Sequence, residues 1–392
     1  MTELRLRVLP GLSAISSAAW DACAAGDEAR PEPFVSHAFL SALEEAGCAT
    51  PRTGWMPQHL VLEDETGQAL AVAPTYLKSH SRGEYVFDHG WADAFHQAGG
   101  NYYPKVQVAV PFTPVTGRRF LTRAGMNPAA CHAAMARGLA DLVELRGASS
   151  AHVTFSTQEE WSRLGEAGFL LRTDRQFHWV NAGYGCHDDF LETLASRKRK
   201  ALKKERREAL SAGISIEWLS GDALTEEAWE AFFHFYLDTG ARKWGSPYLN
   251  RAFFTRIWEQ MADQVLLVMA RREGRYVAGA LNFIGNQTLY GRYWGCIEMH
   301  PGLHFEVCYH QAMDFAIAHG LKTVEAGAQG EHKLARGYLP VTTYSAHHIS
   351  HPGLRHAVAE YLTHERAYME EDVALLTRLG PFRRGEQPQE QD

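Results

Sequence analysis

Three adjacent side chains in the last quarter of the chain have the types that acid–base catalysis requires. Glu331, His332 and Lys333 follow a short apolar segment and a Gly-rich stretch. A carboxylate, an imidazole and an ammonium group at the end of a strand can exchange protons with a substrate held in a cleft. Amide formation from a thioester needs such a base, and it also needs donors for the oxyanion. We therefore predict His332 or Glu331 as the base, acting directly or through water, with backbone N–H groups around Gly330 as donors. A polar loop that begins a helix is the alternative.

The densest charge in the sequence is a basic run at residues 197–207. Like charges four residues apart destabilise an isolated helix, so a neutralising anion is expected there. The functional interpretation is a phosphate-bearing ligand: coenzyme A, aminoacyl-tRNA or an anionic lipid headgroup. A solvated helix face that binds nothing is the alternative. The candidate residues for binding this phosphate-bearing ligand, the donor of the transferred group, are Arg199, Lys200, Lys203 and Arg206 of this run, with Lys333 and Arg336. We call them the donor-binding residues.

Aromatic side chains are the candidates for the walls of a substrate site, and all of them also fit an ordinary core. These candidates are Tyr102, Tyr103, Tyr293, Trp294 and His178. Glu306 and Tyr309 stand at the start of the helical segment that follows Trp294, so they are expected to face the same cleft. Glu306 is the third candidate catalytic residue.

Two stretches of sequence show the same order of elements that would position these residues. Residues 59–91 are predicted as strand, tight turn, strand, turn and strand, and residues 265–295 repeat that pattern. A helical segment and then a short strand follow each copy. They lie at 128–146 and 151–156 in the first copy, and at 304–319 and 322–327 in the second. We interpret this as an internal duplication; chance recurrence of a common motif is the alternative.

Antiparallel strands, a helix and a further strand form the core of the GNAT fold. We therefore predict an α/β (α+β) protein of two tandem GNAT-like domains, each a mostly antiparallel mixed sheet flanked by helices. The predicted domains are residues 1–180 and 181–380, the second including a basic helix at 196–213. Residues 381–392 are predicted as a flexible tail.

The turn at residues 300–304 departs from the usual GNAT pattern. In a GNAT domain the pyrophosphate of coenzyme A lies at the helix N-terminus that follows the fourth strand. The sequence there is HPGLH, which lacks the usual R/Q-x-x-G-x-G/A loop. This departure weakens the assignment of a standard coenzyme A site to the second half.

Composition excludes several classes of protein. A content of 45% hydrophobic and 22% charged residues is that of a globular protein, and a net charge of -7 argues against DNA as a partner. The six cysteines are scattered, and no spacing of four ligands indicates a metal site. We expect a cytoplasmic protein without bound metal, and peripheral contact with the inner membrane stays open.

Five segments together resemble a proteobacterial family of FemAB-like, GNAT-type N-acyltransferases, and the similarity covers about residues 30–380. The segments are GEYVFDHGWADAF (83–95), YYPKVQVAVPFTPVTG (102–117), SRKRKALKKERR (196–207), LYGRYWG (289–295) and GAQGEHKLARGYLPVTTYSAHH (327–348). The bacterial ceramide synthases, which acylate a sphingoid base from a fatty acyl-CoA, are similar to this family.

The resemblance implies transfer of an acyl group from acyl-CoA to a lipophilic amine. The narrowest expectation is a long-chain fatty acyl group moved onto a sphingoid-base amine, with acyl-CoA as co-substrate and no permanently bound cofactor. The alternative is FemAB-like transfer from aminoacyl-tRNA to a peptidoglycan precursor. Because the predicted basic helix at 196–213 is only about five turns long and not a coiled-coil arm, tRNA is the less favoured partner. A non-catalytic binding protein on the GNAT fold is the third hypothesis.

Overall fold

The computed structural model describes residues 4–243, 247–327, 330–383, 385 and 387, without the side chains of 241–243 and 331. The chain divides into two compact units. Unit 1 comprises Met1–Arg175 and Thr342–Glu371, and unit 2 comprises Gln176–Val341 and Asp372–Asp392. Residues 342–371 thus belong with the first half, although the predicted second domain includes them. The reason is apolar packing, because Leu354, Val358 and Leu362 share a buried cluster with Trp91.

Helices and strands are interspersed along the whole chain. In chain order the first are β1 (Arg5–Leu9), α1 (Ser17–Ala25), α2 (His37–Glu45), β2 (Trp55–Pro57), β3 (His59–Glu63), β4 (Ala69–Ala73), β5 (Thr75–Lys78), α3 (His89–Gln97), β6 (Lys105–Val108), β7 (Leu121–Thr122), α4 (Pro128–Arg146), β8 (Ser150–Ser156), α5 (Gln158–Glu166) and β9 (Leu170–Val180). The rest are α6 (His187–Glu192), α7 (Ser196–Ala209), β10 (Ile214–Leu219), α8 (Glu226–Lys243), α9 (Arg251–Met261), β11 (Val265–Arg272), β12 (Arg275–Ile284), β13 (Thr288–Cys296), α10 (Leu303–Phe305), α11 (Gln311–Ala318), β14 (Thr323–Glu325), β15 (Leu339–Ile349) and α12 (Pro352–Arg378). A π-helical segment, Glu306–His310, joins α10 to α11, and a 3-10 helix covers Glu331–Arg336.

Unit 1 contains two sets of paired strands. One has the order β1-β3-β4-β7 and is antiparallel throughout. In the other, β8 lies between β15, which is antiparallel to it, and β6, which is parallel to it. Antiparallel β5 and β2 continue this set beyond β6. The residues of β3 and β4 are all buried, and both α1 and α4 pack against β4.

The prediction of a third strand within residues 59–91 is wrong. Residues 84–88 form no strand, α3 begins at His89, and the next strand is β6. The cause is a buried charge, because Lys105 Nζ donates hydrogen bonds to Glu84 Oε2 at 2.6 Å and Asp88 Oδ2 at 2.5 Å. An unpaired buried ammonium group is costly, so the two carboxylates are held at Lys105.

Unit 2 contains one set of strands in the order β10-β11-β12-β13-β14-β9. The strands β10 to β13 are successively antiparallel, as the second predicted meander requires, whereas β13 and β14 are parallel. Residues Thr288–Tyr290 of β13 pair with Thr323–Glu325 of β14, and β13 then continues to Cys296 beyond the end of β14. Each unit therefore contains a pair of parallel strands whose connection includes a helix: β6 and β8 with α4 in unit 1, and β13 and β14 with α11 in unit 2.

The basic helix α7 ends at Ala209, four residues before the predicted stop at Gly213. Pro381 and Phe382, which fall in the predicted flexible tail, instead pair with the segment before α7. The Ala195 N–H donates to the Pro381 carbonyl at 2.9 Å, and Phe382 forms a bridge with Leu194. Within the described residues, no helix is both long and apolar enough to cross a bilayer.

Candidate functional site

A cleft of about 100 Å³ opens in unit 2 where β13 continues past the end of β14. Its lining comes from β12, β13, the residue after β14 and the helical segment that follows β13. The lining residues are Ala280, Asn282, Gly291, Arg292, Tyr293, Trp294, His304, Cys308, Tyr309 and Ala326. The predicted wall residues Tyr293 and Trp294 are thus brought together in this cleft.

A bulge in β13 shapes this cleft. Leu281 of β12 faces Tyr293, but Asn282 faces Gly291, so Arg292 is the extra residue. A bulge re-aims the side chains around it. The Arg292 guanidinium is held by Glu325, whose Oε2 accepts from the NH2 group at 3.1 Å.

The π-helical segment Glu306–His310 presents side chains in two directions. Cys308 and Tyr309 line the cleft, whereas Glu306 and His310 are fully buried and contact α7. A π turn adds a residue to a helix and is frequent at functional sites.

The exposed side chain of His332 lies against Tyr309, which is one of the residues that line this cleft. The Tyr309 Oη and the His332 Nε2 are 2.9 Å apart, within hydrogen-bond distance. Burial, aided by the positive charges of Lys333 and Arg336, lowers the pKa of His332. Burial raises the pKa of Tyr309, so at neutral pH the pair is a neutral imidazole and a phenol. Gly330, at a φ of 117°, is required before them, because a Cβ there would collide with the His332 ring.

Lys333 is 1% exposed, and its Nζ donates to the Gly327 carbonyl at 2.8 Å. Burial lowers the pKa of Lys333 to about 7, and the neighbouring Arg292 charge contributes to that lowering. Lys333 thus sits beside the cleft and titrates near neutrality.

Asn282 places an acceptor oxygen at the floor of the cleft. Its Nδ2 donates to the carbonyls of Leu266 at 3.3 Å and Ala280 at 3.4 Å, which fixes the orientation of the amide. Its buried Oδ1 has no hydrogen-bond partner within the described part of the chain. A Cβ added at Gly291 would lie 3.3 Å from this oxygen. Because Gly291 has no side chain, a space of about one atom is left beside Asn282 Oδ1, a buried acceptor without a hydrogen bond from the described residues.

Glu306, predicted as a catalytic residue, forms an ion pair with α7. Its Oε1 accepts from Arg206 NH2 at 2.8 Å, its Oε2 accepts from Arg206 Nε at 3.0 Å, and Gln311 Nε2 donates to Oε1 at 2.7 Å. Arg206 also donates to Asp314 Oδ2 at 2.6 Å. These bonds occupy Arg206, a predicted donor-binding residue, with carboxylates of its own chain.

Arg336 connects α7 to the backbone of the 3-10 helix Glu331–Arg336. Its Nε and NH2 donate to the two oxygens of Glu205 at 2.9 and 2.5 Å, and its NH1 donates to the His332 carbonyl at 2.7 Å. Glu205 also lies 3.1 Å from His310 Nε2. Arg336 thus positions the backbone of His332.

The other predicted donor-binding residues of α7 point away from this network. Lys200 and Lys203 are exposed and Arg199 is half-buried. Lys203 Nζ lies 2.9 Å from Asp188 Oδ1, and both side chains are largely exposed.

Three other predicted residues, Tyr102, Tyr103 and His178, are not among those that line the cleft. Tyr102 and Tyr103 belong to unit 1, where the Tyr102 hydroxyl donates to Asp88 Oδ2 at 2.7 Å and the Tyr103 hydroxyl lies 2.9 Å from Ser81 Oγ. His178 is buried in unit 2, with its Nε2 3.8 Å from Glu325 Oε1. The Glu331 side chain lies outside the described residues.

Asn282, Arg292 and Cys308 are cleft residues that the sequence reasoning missed. The signal that could have found them is a polar residue inside an apolar or aromatic strand, as Asn282 is in GALNFI and Arg292 is in LYGRYWG. Groups of three or more His, Cys, Asp or Glu side chains suited to a metal ion do not occur among the described residues.

Comparison with known proteins gives matches along nearly the whole chain. The FemAB-like family model, described as peptidoglycan biosynthesis/recognition, matches residues 11–384. The crystal structure of FemX aligns with a TM-score of 0.54 at 13% identity over 88% of this chain and 98% of that chain. L-PGS from Bacillus licheniformis aligns with a TM-score of 0.49 at 10% identity, over 82% of this chain and 95% of that one. A tandem GNAT protein from the clavulanic acid biosynthesis pathway aligns with a TM-score of 0.46 at 12% identity, over 89% and 99% respectively.

Among curated proteins, none matches this sequence. At such low identity the likeness to FemX shows the fold alone, and the predicted fold class of two GNAT-like halves is confirmed.

Proposed function

Because the chain belongs to the FemAB-like family of acyltransferase-type enzymes, as predicted from the sequence, we propose that it transfers an acyl group from an activated donor to an amine in the cleft of unit 2. The observation that carries this proposal is the neutral His332, paired with Tyr309 at the cleft where β13 runs past β14.

The His332–Tyr309 pair suits both proton transfers of the reaction. As the amine nitrogen bonds to the acyl carbon, His332 accepts the proton that the nitrogen must lose. As the bond to the leaving sulfur or oxygen breaks, the Tyr309 phenol supplies a proton to that atom. The 2.9 Å separation between Nε2 and Oη lets the proton on His332 return to Tyr309, so the pair ends as it began.

Charge on the tetrahedral oxyanion needs donors, and two groups beside the cleft fit that need. One is the ammonium form of Lys333. The other is the backbone of residues 291–294, which lies beyond the part of β13 that pairs with β14. Arg336 and Glu306 are positioning residues in this scheme: Arg336 holds the backbone of His332, and Glu306 holds α7 through Arg206.

For the donor and acceptor we propose acyl-CoA and a lipophilic amine, with a sphingoid base as the specific acceptor. The aromatic side chains of Tyr293 and Trp294 in the cleft support an apolar substrate. Exposed cations of α7 support a phosphate-bearing donor.

Transfer from aminoacyl-tRNA to a peptidoglycan precursor has at least equal support. The family description names peptidoglycan biosynthesis, and the same exposed cations of α7 fit an RNA backbone. Both candidates use the same cleft and the same acid–base pair, and they differ only in the donor and acceptor.

A two-arm assay with purified protein tests the proposal. One arm contains long-chain acyl-CoA and sphinganine, and the other contains aminoacyl-tRNA and a peptidoglycan precursor with a free amine. Mass spectrometry detects the amide product, and ribonuclease is added to each arm. We expect amide in the first arm, insensitive to ribonuclease. Amide only in the second arm, abolished by ribonuclease, would assign the alternative. No amide in either arm, or with a wider panel of acyl-CoAs and amines, would contradict acyl transfer.

A further inference from the structure

A thiol, that of Cys308, lines the cleft of unit 2, and the reaction described above gives it no role. None of the six cysteines forms a disulfide. Four of the others are buried and the fifth, Cys186, is exposed, and none of these five is among the residues that line the cleft. Because sulfur is intrinsically nucleophilic, a thiol at a site of acyl transfer can itself receive the acyl group.

The surroundings of Cys308 suit a nucleophilic thiolate. Cys308 directly precedes Tyr309 in the π-helical segment, and both side chains line the cleft. Burial lowers the pKa of Lys333, and a negative charge on Cys308 opposes that shift, so the thiolate and the ammonium group attract each other. A cation close to a cysteine stabilises its thiolate, which is the reactive form.

A second feature of the same cleft points to a ligand, and it is independent of the thiol. Asn282 is 1% exposed, and its Oδ1 accepts no hydrogen bond from the described residues. A buried acceptor that stays unpaired is costly, so we expect this oxygen to accept an N–H group from a molecule in the cleft. The amine substrate carries such a group. Cys308 thus lies in a cleft that also holds a buried acceptor for a polar ligand.

The size of the cleft limits what it holds at one time. Its volume of about 100 Å³ is well below the roughly 300–1,000 Å³ of most ligand pockets. Direct transfer requires the leaving group of the donor and the incoming amine to flank the acyl carbon together. A residue that holds the acyl group lets the donor leave before the amine enters, so the two substrates occupy the same space in turn.

We propose that Cys308 carries the acyl group as a thioester between donor and amine, a step that rests on the proposed acyl transfer. First the Cys308 sulfur bonds to the acyl carbon, and the bond from that carbon to the sulfur or oxygen of the donor breaks. The amine nitrogen then bonds to the same carbon, and the bond from carbon to Cys308 Sγ breaks, which releases the amide and restores the thiol.

The protons balance in both half-reactions. In the first, His332 accepts the thiol proton and Tyr309 gives a proton to the leaving atom of the donor. In the second, His332 accepts the amine proton and Tyr309 gives a proton to the Cys308 sulfur. After each half-reaction the proton on His332 returns to Tyr309 across the 2.9 Å between Nε2 and Oη.

Mixing the full-length protein with the donor alone tests this proposal. The donor is palmitoyl-CoA, replaced by aminoacyl-tRNA if that donor is the one that yields amide, and intact-protein mass spectrometry follows an acid quench. We expect one acyl group on the wild type, which hydroxylamine removes and which added amine converts to amide. Cys308→Ala should carry no acyl group and should form amide at least about 100-fold more slowly. Cys186→Ala, the matched control, should keep both properties of the wild type.

Two further measurements separate the chemistry of Cys308 from its packing. Cys308→Ser keeps the shape of the side chain but has a much weaker nucleophile, so it should be as slow as Cys308→Ala. Double-reciprocal plots of rate against donor concentration, at several amine concentrations, should give parallel lines. Intersecting lines, or the wild-type rate in either folded variant, would overturn the role of Cys308 and leave acyl transfer intact. A wild type that forms no amide would remove the proposed function, and this intermediate with it.

Discussion

At the scale of single residues, desolvation shifts the pKa values of His332 and Lys333 in the same direction, although His332 is exposed and Lys333 is buried. The pKa of His332 and the pKa of Lys333 are both lowered, first by desolvation and then by neighbouring positive charge. The lowered pKa favours the neutral form of His332, the proposed base, while Lys333, with a pKa of about 7, holds its charge only in part. In the proposed reaction, protonation of His332 should limit the rate at low pH, and deprotonation of Lys333 should limit it at high pH.

The rate of acyl transfer should therefore pass through a maximum near neutral pH. It should rise as His332 loses its proton, below the ordinary imidazole pKa of about 6.5. It should fall as Lys333, the proposed cation at the oxyanion, loses its proton through a pKa of about 7. The measurement is kcat/KM against pH for the wild type and for Lys333→Arg. Because a guanidinium keeps its charge, the alkaline fall should disappear in Lys333→Arg; an unchanged fall would mean that Lys333 has no part in it.

The unsatisfied oxygen of Asn282 gives a second prediction at this scale. Asn282→Leu should raise KM about tenfold for a substrate whose N–H group binds there, since about one hydrogen bond is lost. Gly291→Ala should raise KM similarly, because its methyl group fills the space beside the oxygen. Gly90→Ala is the matched control, because a methyl group there meets nothing within 4 Å. Wild-type KM in both cleft variants, with unchanged melting temperature, would remove Asn282 from substrate binding.

At the scale of elements, α7 has two faces with different roles. Arg206 faces inward and forms ion pairs with Glu306 and Asp314, whereas the adjacent Arg207 is exposed. The sequence shows both as members of one basic run, and only the packing of α7 separates them.

The two adjacent arginines should differ sharply in their effect on stability. Arg206→Ala leaves the Glu306 carboxylate buried without its cation, and should lower the free energy of unfolding by about 2–4 kcal/mol. Arg207→Ala is the matched control and should change it by no more than about 0.5 kcal/mol. Chemical denaturation of both variants is the measurement. Equal losses would show that the Arg206–Glu306 pair does not stabilise the fold.

Hydrophobic periodicity and turn residues correctly predicted the elements whose formation depends on neighbouring residues in the sequence. The meander β11 to β13 follows from apolar strands separated by Gly-containing turns, and Tyr293 and Trp294 follow from its last strand. The false strand at residues 84–91 has a non-local cause, because Lys105 holds Glu84 and Asp88. From its place at the start of a helix, Glu306 was predicted to face the cleft. The π-helical segment instead directs its side chain to α7. Hydrophobic periodicity gives no signal for a π-helical turn, so the sequence could not predict this direction.

At the scale of the whole molecule, the two halves are not contiguous in sequence. Residues 342–371 return to unit 1, where part of β15 pairs with β8. A repeat in the sequence predicts two related halves, but it does not predict where a strand from the end of the chain will pair. The net charge of -7 likewise hides a helix whose outward face is basic.

The central claim is that the cleft of unit 2 joins an acyl group to an amine through His332. The most direct measurement is the initial rate of amide formation by the wild type, by His332→Ala and by His234→Ala, whose side chain is exposed on α8. We predict that His332→Ala lowers kcat by about 100-fold or more, while His234→Ala keeps the wild-type rate. Amide formation at the full rate by a folded His332→Ala protein would contradict the account.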